Sequence, residues 1–168
     1  AMGVDVFLKV RLKPKFNGWI SYAYTDSKRK QYDAANLTPA DYDITHSVSV
    51  VSTYNVTDRL TVGASYKIST GKPFTPVSGS MFDPINNVYI PIYADRNSER
   101  FPTYQRVDLN AQYIFALFNR FAVAFFALNN LFNTSNLYQY NYNFDYSNRI
   151  DVNSSNKRII YFGMGLQL

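Results

Sequence analysis

Hydrophobic and polar residues alternate with a period of two over seven segments of this chain, and the alternation stops at regular places. In residues 3–12, Val4, Val6, Leu8, Val10 and Leu12 share one face, and Asp5, Phe7, Lys9 and Arg11 the other. Residues 16–24 set Gly18, Ile20, Tyr22 and Tyr24 against Asn17, Trp19, Ser21 and Ala23. Residues 47–56 and 60–69 continue the pattern, with Val48, Val50, Tyr54, Leu60, Val62, Ala64, Tyr66 and Ile68 on their apolar faces. Val107, Leu109, Ala111, Tyr113 and Phe115 alternate with Asp108, Asn110 and Gln112 in the fifth segment, residues 107–115. The sixth, residues 121–128, is apolar on both faces, so its orientation stays open. The seventh, residues 158–168, carries Ile160, Phe162, Met164, Leu166 and Leu168 on one side. A period of two predicts a strand with one apolar face.

The connections alternate as well. Residues 13–15, 57–59 and 116–120 are tight turns, with Pro14 ending the first strand because it has no N–H to give to a ladder. Residues 25–45, 70–103 and 134–156 are long, polar and without a steady period; residues 88–93 offer a short hairpin arm within the second. Three such long loops are unusual in a compact soluble domain. Strands of roughly 10 residues, short turns at one end and long loops at the other are what a transmembrane β-barrel requires. The expectation is therefore all-β: about seven antiparallel transmembrane strands, with short periplasmic turns and long extracellular loops. Tyr22, Tyr24, Tyr54, Tyr66, Tyr113 and Phe162 suit an aromatic girdle. A soluble barrel or sandwich shows the same alternation, since periodicity does not tell lipid from core. An odd strand number also leaves the first and last strands parallel, so closure calls for a further strand or other chain segments, because open edges in lipid leave backbone groups unpaired.

Composition narrows the field further. The 168 residues amount to one domain. Tyr 15 and Phe 13 stand against a single Trp, and the mean hydropathy is −0.25. No run approaches the roughly 18 apolar residues of a transmembrane helix. No signal peptide is read, and Ala1-Met2 is expected to be a cloning scar, leaving residues 3–168 as one segment. Cysteine is absent, which removes disulfides and thiolate metal sites. The net charge of +5 comes from dispersed Lys and Arg, which argues for solvated charge and against a nucleic-acid partner.

Four stretches carry a family resemblance. They are G-V-D-V-F-L-K-V-R-L with F-N-G-W-I-S-Y-A-Y-T in residues 3–25, T-G-K-P-F in 70–74, P-x-Y-x-R-V-D-L in 102–109 and N-N-L-F-N in 129–133. In this order the chain resembles the C-terminal third of a TonB-dependent outer-membrane receptor of the Bacteroidetes type. The resemblance implies the last seven or so strands of a barrel of about 22 strands enclosing an N-terminal plug. It places the chain in the bacterial outer membrane, with the lipid bilayer, the plug and the remaining strands as partners, and TonB reached only through the N-terminal part. It also implies uptake of a siderophore, cobalamin or an oligosaccharide by the whole receptor, and no transport by this piece alone. Expressed by itself, such a piece is open to homo-oligomer formation. Leu168 stands where the family usually ends in an aromatic residue. The alternatives are a free-standing small outer-membrane barrel, adhesive or structural, and a soluble lipocalin-like binding barrel.

Candidate chemistry is sparse. His46 is the sole histidine and has no companion for a zinc site. Asp41-Tyr42-Asp43 and Asp145-Tyr146-Ser147-Asn148 offer oxygen ligands for calcium, as short polar loops often do. Glu99 is the sole glutamate, and neither a G-x-S-x-G elbow nor a phosphate-cradling glycine loop is present, so no enzyme and no cofactor is read. The one binding candidate is the run containing Tyr138, Tyr140, Asn141, Tyr142 and Asn143, whose rings and amides suit sugar stacking and hydrogen bonding. The plainer reading of the same tyrosines is an interfacial belt on extended strands.

Overall fold

The computed structural model describes residues 1–12, 14–30, 36–155 and 157–166; Lys13 of the first turn and the terminal Gln167 and Leu168 lie outside them. The described residues are all-β, 68% of them in strands. In order the strands are β1 (Met2–Leu12), β2 (Phe16–Asp26), β3 (Lys28–Lys30), β4 (Leu37–Pro39), β5 (His46–Asn55), β6 (Leu60–Ser69), β7 (Pro73–Phe74), β8 (Val77–Asp83), β9 (Val88–Tyr93), β10 (Glu99–Arg100), β11 (Tyr104–Leu117), β12 (Arg120–Asn129), β13 (Leu137–Tyr142), β14 (Arg149–Asn153) and β15 (Ile159–Leu166).

Seven of these form one antiparallel sheet in the order β1-β2-β5-β6-β11-β12-β15. Each pairs with its predecessor in the sheet, as a meander must when tight turns join alternate strands. The third turn is tighter than expected. Strand pairing runs through Leu117 and Arg120, leaving only Phe118 and Asn119, both at positive φ (51° and 59°). That is the two-residue hairpin turn whose twist matches its strands. The second turn is closed by Thr57, whose hydroxyl accepts from the N–H groups of Arg59 and Leu60 at 3.2 and 3.0 Å.

The sheet is open. Among the described residues β1 and β15 are its edges and do not pair, so no closed barrel is formed. With seven antiparallel strands, both edges run in the same direction.

Register divides the residues cleanly between two faces. Val6, Tyr22, Val48 and Ile68 lie in one cross-strand row, as do Leu8, Ile20, Val50, Tyr66 and Val107. Leu109, Leu128 and Ile160 continue that face, followed by Ala111, Phe126 and Phe162. The opposite face carries Asp5, Lys9, Ser21, Ser49, Lys67, Arg106, Asp108, Asn110 and Gln112. β12 is now assigned: Ala122, Ala124, Phe126 and Leu128 belong to the apolar face, while Phe121, Val123, Phe125 and Ala127 stand on the polar one. The six girdle aromatics all fall on the apolar face. Tyr22 and Tyr24 lie toward the loop end and Tyr54 and Tyr113 toward the turns, whereas Tyr66 and Phe162 sit at mid-strand.

No second layer covers the apolar face. Ala122 is the one buried hydrophobic residue among those described, while Val4 is 61% and Phe162 83% exposed. The total accessible surface is 12180 Å². A compact monomer of this mass exposes about 8,500 Å². Glycines on the polar face receive neighbouring side chains instead of bearing their own. The Asn110 amide lies over Gly63 and the Phe125 ring over Gly163, close enough to leave no room for a Cβ. Gly165, on the edge strand, has nothing described within 4 Å of the corresponding point.

Candidate functional site in the loop cap

All three long connections leave the sheet at the same end, and hydrogen bonds and ring stacks join them. In the first connection β3 and β4 pair antiparallel, Lys28 to Lys30 against Leu37 to Pro39. This connection is tied to residues 70–103 by Arg96, whose Nη2 lies 3.1 Å from both carboxylate oxygens of Asp41. The Asn97 side-chain N–H donates to Asp41 and to the Pro39 carbonyl, each at 2.8 Å. Asn97 and then Arg96 favour the ionised carboxylate, holding Asp41 below its ordinary value. Asp43 is 3% exposed; it accepts from the Ser27 N–H at 2.8 Å and pairs with the Arg100 guanidinium. Both acids of this stretch are engaged by protein partners. Asp145 accepts from the N–H and hydroxyl of Ser147, an ordinary turn. Among the described residues no cluster of three metal-ligating side chains occurs.

The second connection is more ordered than its sequence suggested. β8 and β9 form the expected arm, and β7 pairs with β10. Its T-G-K-P-F motif is a packing device. Gly71 lets the chain pass so close to the Phe101 carbonyl that a Cβ would lie 1.7 Å from that oxygen. Phe74 packs against Phe101 with centroids 4.6 Å apart.

The third connection contains the predicted binding run, and it is a strand. β13 pairs with β14, so residues 137–142 alternate because they are half of a hairpin. That pairing divides the five candidates. Tyr140 is an anchor: it stacks on Phe101 at 5.1 Å and 17°, meets Phe74 at 4.9 Å, and has the Arg149 guanidinium 4.0 Å from its ring centre. Such contacts leave its faces little capacity for a ligand. Asn143 is occupied in its turn, donating to Ser147 Oγ at 2.9 Å and accepting from the Asn148 N–H at 3.0 Å. Asn141 is exposed and accepts from the Gln139 side chain at 3.0 Å.

Tyr142 and Tyr138 each line a recess. Tyr142, whose hydroxyl accepts from the Val77 N–H at 3.3 Å, lines one of about 460 Å³ with Ser78, Glu99, Tyr146 and Arg149. Tyr138 lines another of about 270 Å³ with Lys67, Lys72, Phe101 and Tyr104. Sequence reading did not single out Lys67 or Lys72, because their proximity depends on strand pairing and loop packing far apart in the chain.

The remaining motifs secure the junction of cap and sheet. Asp108 Oδ1 accepts from Arg106 Nε and from the Asn130 N–H, both at 2.7 Å. Asn130 is 1% exposed at φ 52°, and its amide both donates to and accepts from the Thr134 backbone, at 3.0 and 2.9 Å. Asn136 imitates a strand residue, bonding the N–H and C=O of Gln105 at 2.9 Å each. His46, the first residue of β5, has Nδ1 2.9 Å from the Tyr22 hydroxyl and sits between Tyr22 and Tyr24 at the upper edge of the apolar face. No family model, curated protein or solved structure matches the chain.

Proposed function

We propose that this chain is a wall segment of a bacterial outer-membrane β-barrel of the TonB-dependent receptor kind, with the loop cap outside the cell and the three tight turns in the periplasm. The observation that carries the reading is the apolar face, continuous over all seven strands and uncovered. Lipid is the solvent that face suits, since alternate strand residues then meet hydrocarbon and a polar interior. The main strands of 8 to 14 residues span the bilayer at the usual tilt. In this reading the polar face looks into the lumen, and the parent receptor takes up a nutrient such as a siderophore, cobalamin or an oligosaccharide. An all-antiparallel ring needs an odd number of further strands, because β1 and β15 run the same way. Copies of this chain inserted in one orientation meet as parallel pairs.

Labelling one residue at a time tests the assignment, and the cysteine-free sequence makes each label unique. Val6→Cys, Val50→Cys and Phe126→Cys, each carrying an environment-sensitive dye in liposomes, are expected to be quenched by spin-labelled lipid tails. Ser21→Cys, Ser49→Cys and Asn110→Cys are expected to be quenched only by a water-soluble agent. Equal accessibility of the two sets to water, together with a monodisperse monomer in detergent-free buffer, would overturn the reading.

A further inference from the structure

Lys67 and Arg106 are directly opposite each other on β6 and β11, side by side on the polar face. Like charges so placed oppose pairing. Asp108 is bonded to Arg106 and to the Asn130 N–H, so it offsets the Arg106 charge and leaves Lys67 as the cation without a counter-charge among the described residues. Lys72 adds a third cation from the second loop, its ammonium 5.4 Å from the Phe101 ring centre and 5.7 Å from that of Tyr138. Among the described residues neither Lys67 nor Lys72 forms an ion pair. Both line the 270 Å³ cleft in which the polar face meets the second and third loops, and its other walls include the rings of Phe101, Tyr104 and Tyr138.

We propose that this cleft binds an organic anion: a phosphate or carboxylate head carried on a flat apolar body. The head lies between the Lys67 and Lys72 ammonium groups, where a negative charge supplies the counter-ion that neither has among the described residues. The body lies against Tyr104 and Tyr138, since Phe101 is already engaged by Tyr140 and Phe74. Size agrees, because a cavity of about 150 Å³ accepts benzene and this one is larger by roughly the room a charged head needs. The site belongs to the cap and the polar face, so it deepens the receptor reading without depending on which nutrient the parent carries.

The test is calorimetric titration of the full chain, refolded in detergent and checked by circular dichroism, with phenyl phosphate, inorganic phosphate and phenol. Phenyl phosphate is expected to bind more tightly than either fragment. Lys72→Gln and Lys67→Gln are each expected to weaken it about tenfold or more, the loss of a charge-assisted contact, while Lys9→Gln on remote β1 leaves it unchanged. Lys67→Gln should leave the unfolding midpoint of the ligand-free chain close to that of the parent, which separates a binding role from a structural one. The proposal is overturned if the folded chain does not bind phenyl phosphate, if phenol binds equally well, or if both Gln variants bind as the parent does. Dye quenching on the two faces is read independently, so failure here and failure of the membrane reading are told apart.

Discussion

The loop cap buries polar side chains and the sheet exposes apolar ones. In the cap and at its junction the buried polar side chains include Asp43, Asn97, Asn130 and Asn136, each supplied with partners by neighbouring backbone or side chains. In the sheet, Leu8, Phe126, Phe162 and Met164 stand in the open. The cap is organised as a water-soluble protein is, by satisfying every polar group it encloses. The sheet pairs its inner strands through ladders and leaves its hydrophobic face uncovered among the described residues, as the proposed lipid environment would require once the edges are paired. The boundary between the two regions runs along the ends of β2, β5, β6, β11 and β12.

The sharpest way to break this comparison is to place one charge on either face of one strand. Val50→Arg is expected to destabilise the lipid-inserted state by about 2–4 kcal/mol, while Ser49→Arg, one residue away, changes it little. Urea unfolding in liposomes reads the difference; equal effects would mean that the faces do not differ in solvent. The cap should respond to lost packing instead. Tyr140→Ala is expected to cost about 2 kcal/mol of cap stability by removing the stack on Phe101 and Phe74, seen as faster proteolysis within residues 70–103 and 134–156 with the strands protected. Asn130→Ala should cost about 1–3 kcal/mol, since it strips the buried partner of the Thr134 backbone groups. Hydrogen exchange at Thr134 and Leu131 checks it.

Acid gives the smallest effect. The folded-state value of Asp41 lies below its unfolded value, so its contribution is present above roughly pH 4 and is lost as pH falls through the folded value. The link between residues 27–45 and 70–103 should loosen only in that range, by a modest amount because the pair is solvent-screened. Protease sensitivity of residues 27–45, unchanged from pH 7 to 5 and rising below 4, is the expected profile. An Asp41→Asn variant should show no such rise.

Much of the sheet was legible from period alone. The seven strands, the three tight turns and the β9 arm follow from side-chain alternation and from Pro, Asp and Asn at the breaks. β12 was not legible, because Phe121, Val123 and Phe125 are as apolar as Ala124, Phe126 and Leu128, and only pairing to β11 separates them. The cap was read least well. Residues 137–142 fall within a long polar connection, yet Tyr and Asn alternate there with a strand's period, in keeping with the plainer reading of extended strands; tyrosine lies on both sides of the question, as belt and as packing. Tyr140 became an anchor through Phe101 and Phe74, 39 and 66 residues away, a distance no local pattern spans. A local signal did exist in the asparagines: Asn87, Asn97, Asn119, Asn130 and Asn133 all adopt positive φ. Asn tolerates that region better than most residues, so each marked a sharp reversal that the chain makes.

The bare Gly165 bears on how anything joins this sheet. Within the sheet, the empty spaces above Gly63 and Gly163 are filled from the next strand over, by Asn110 and Phe125. Among the described residues, a strand arriving beside β15 finds a vacant notch at Gly165. Sliding by two residues keeps every apolar side chain on the apolar face, so hydrophobicity alone cannot choose among such alignments. A bulky side chain that drops into the notch can, which makes the smallest residue on the edge its index mark.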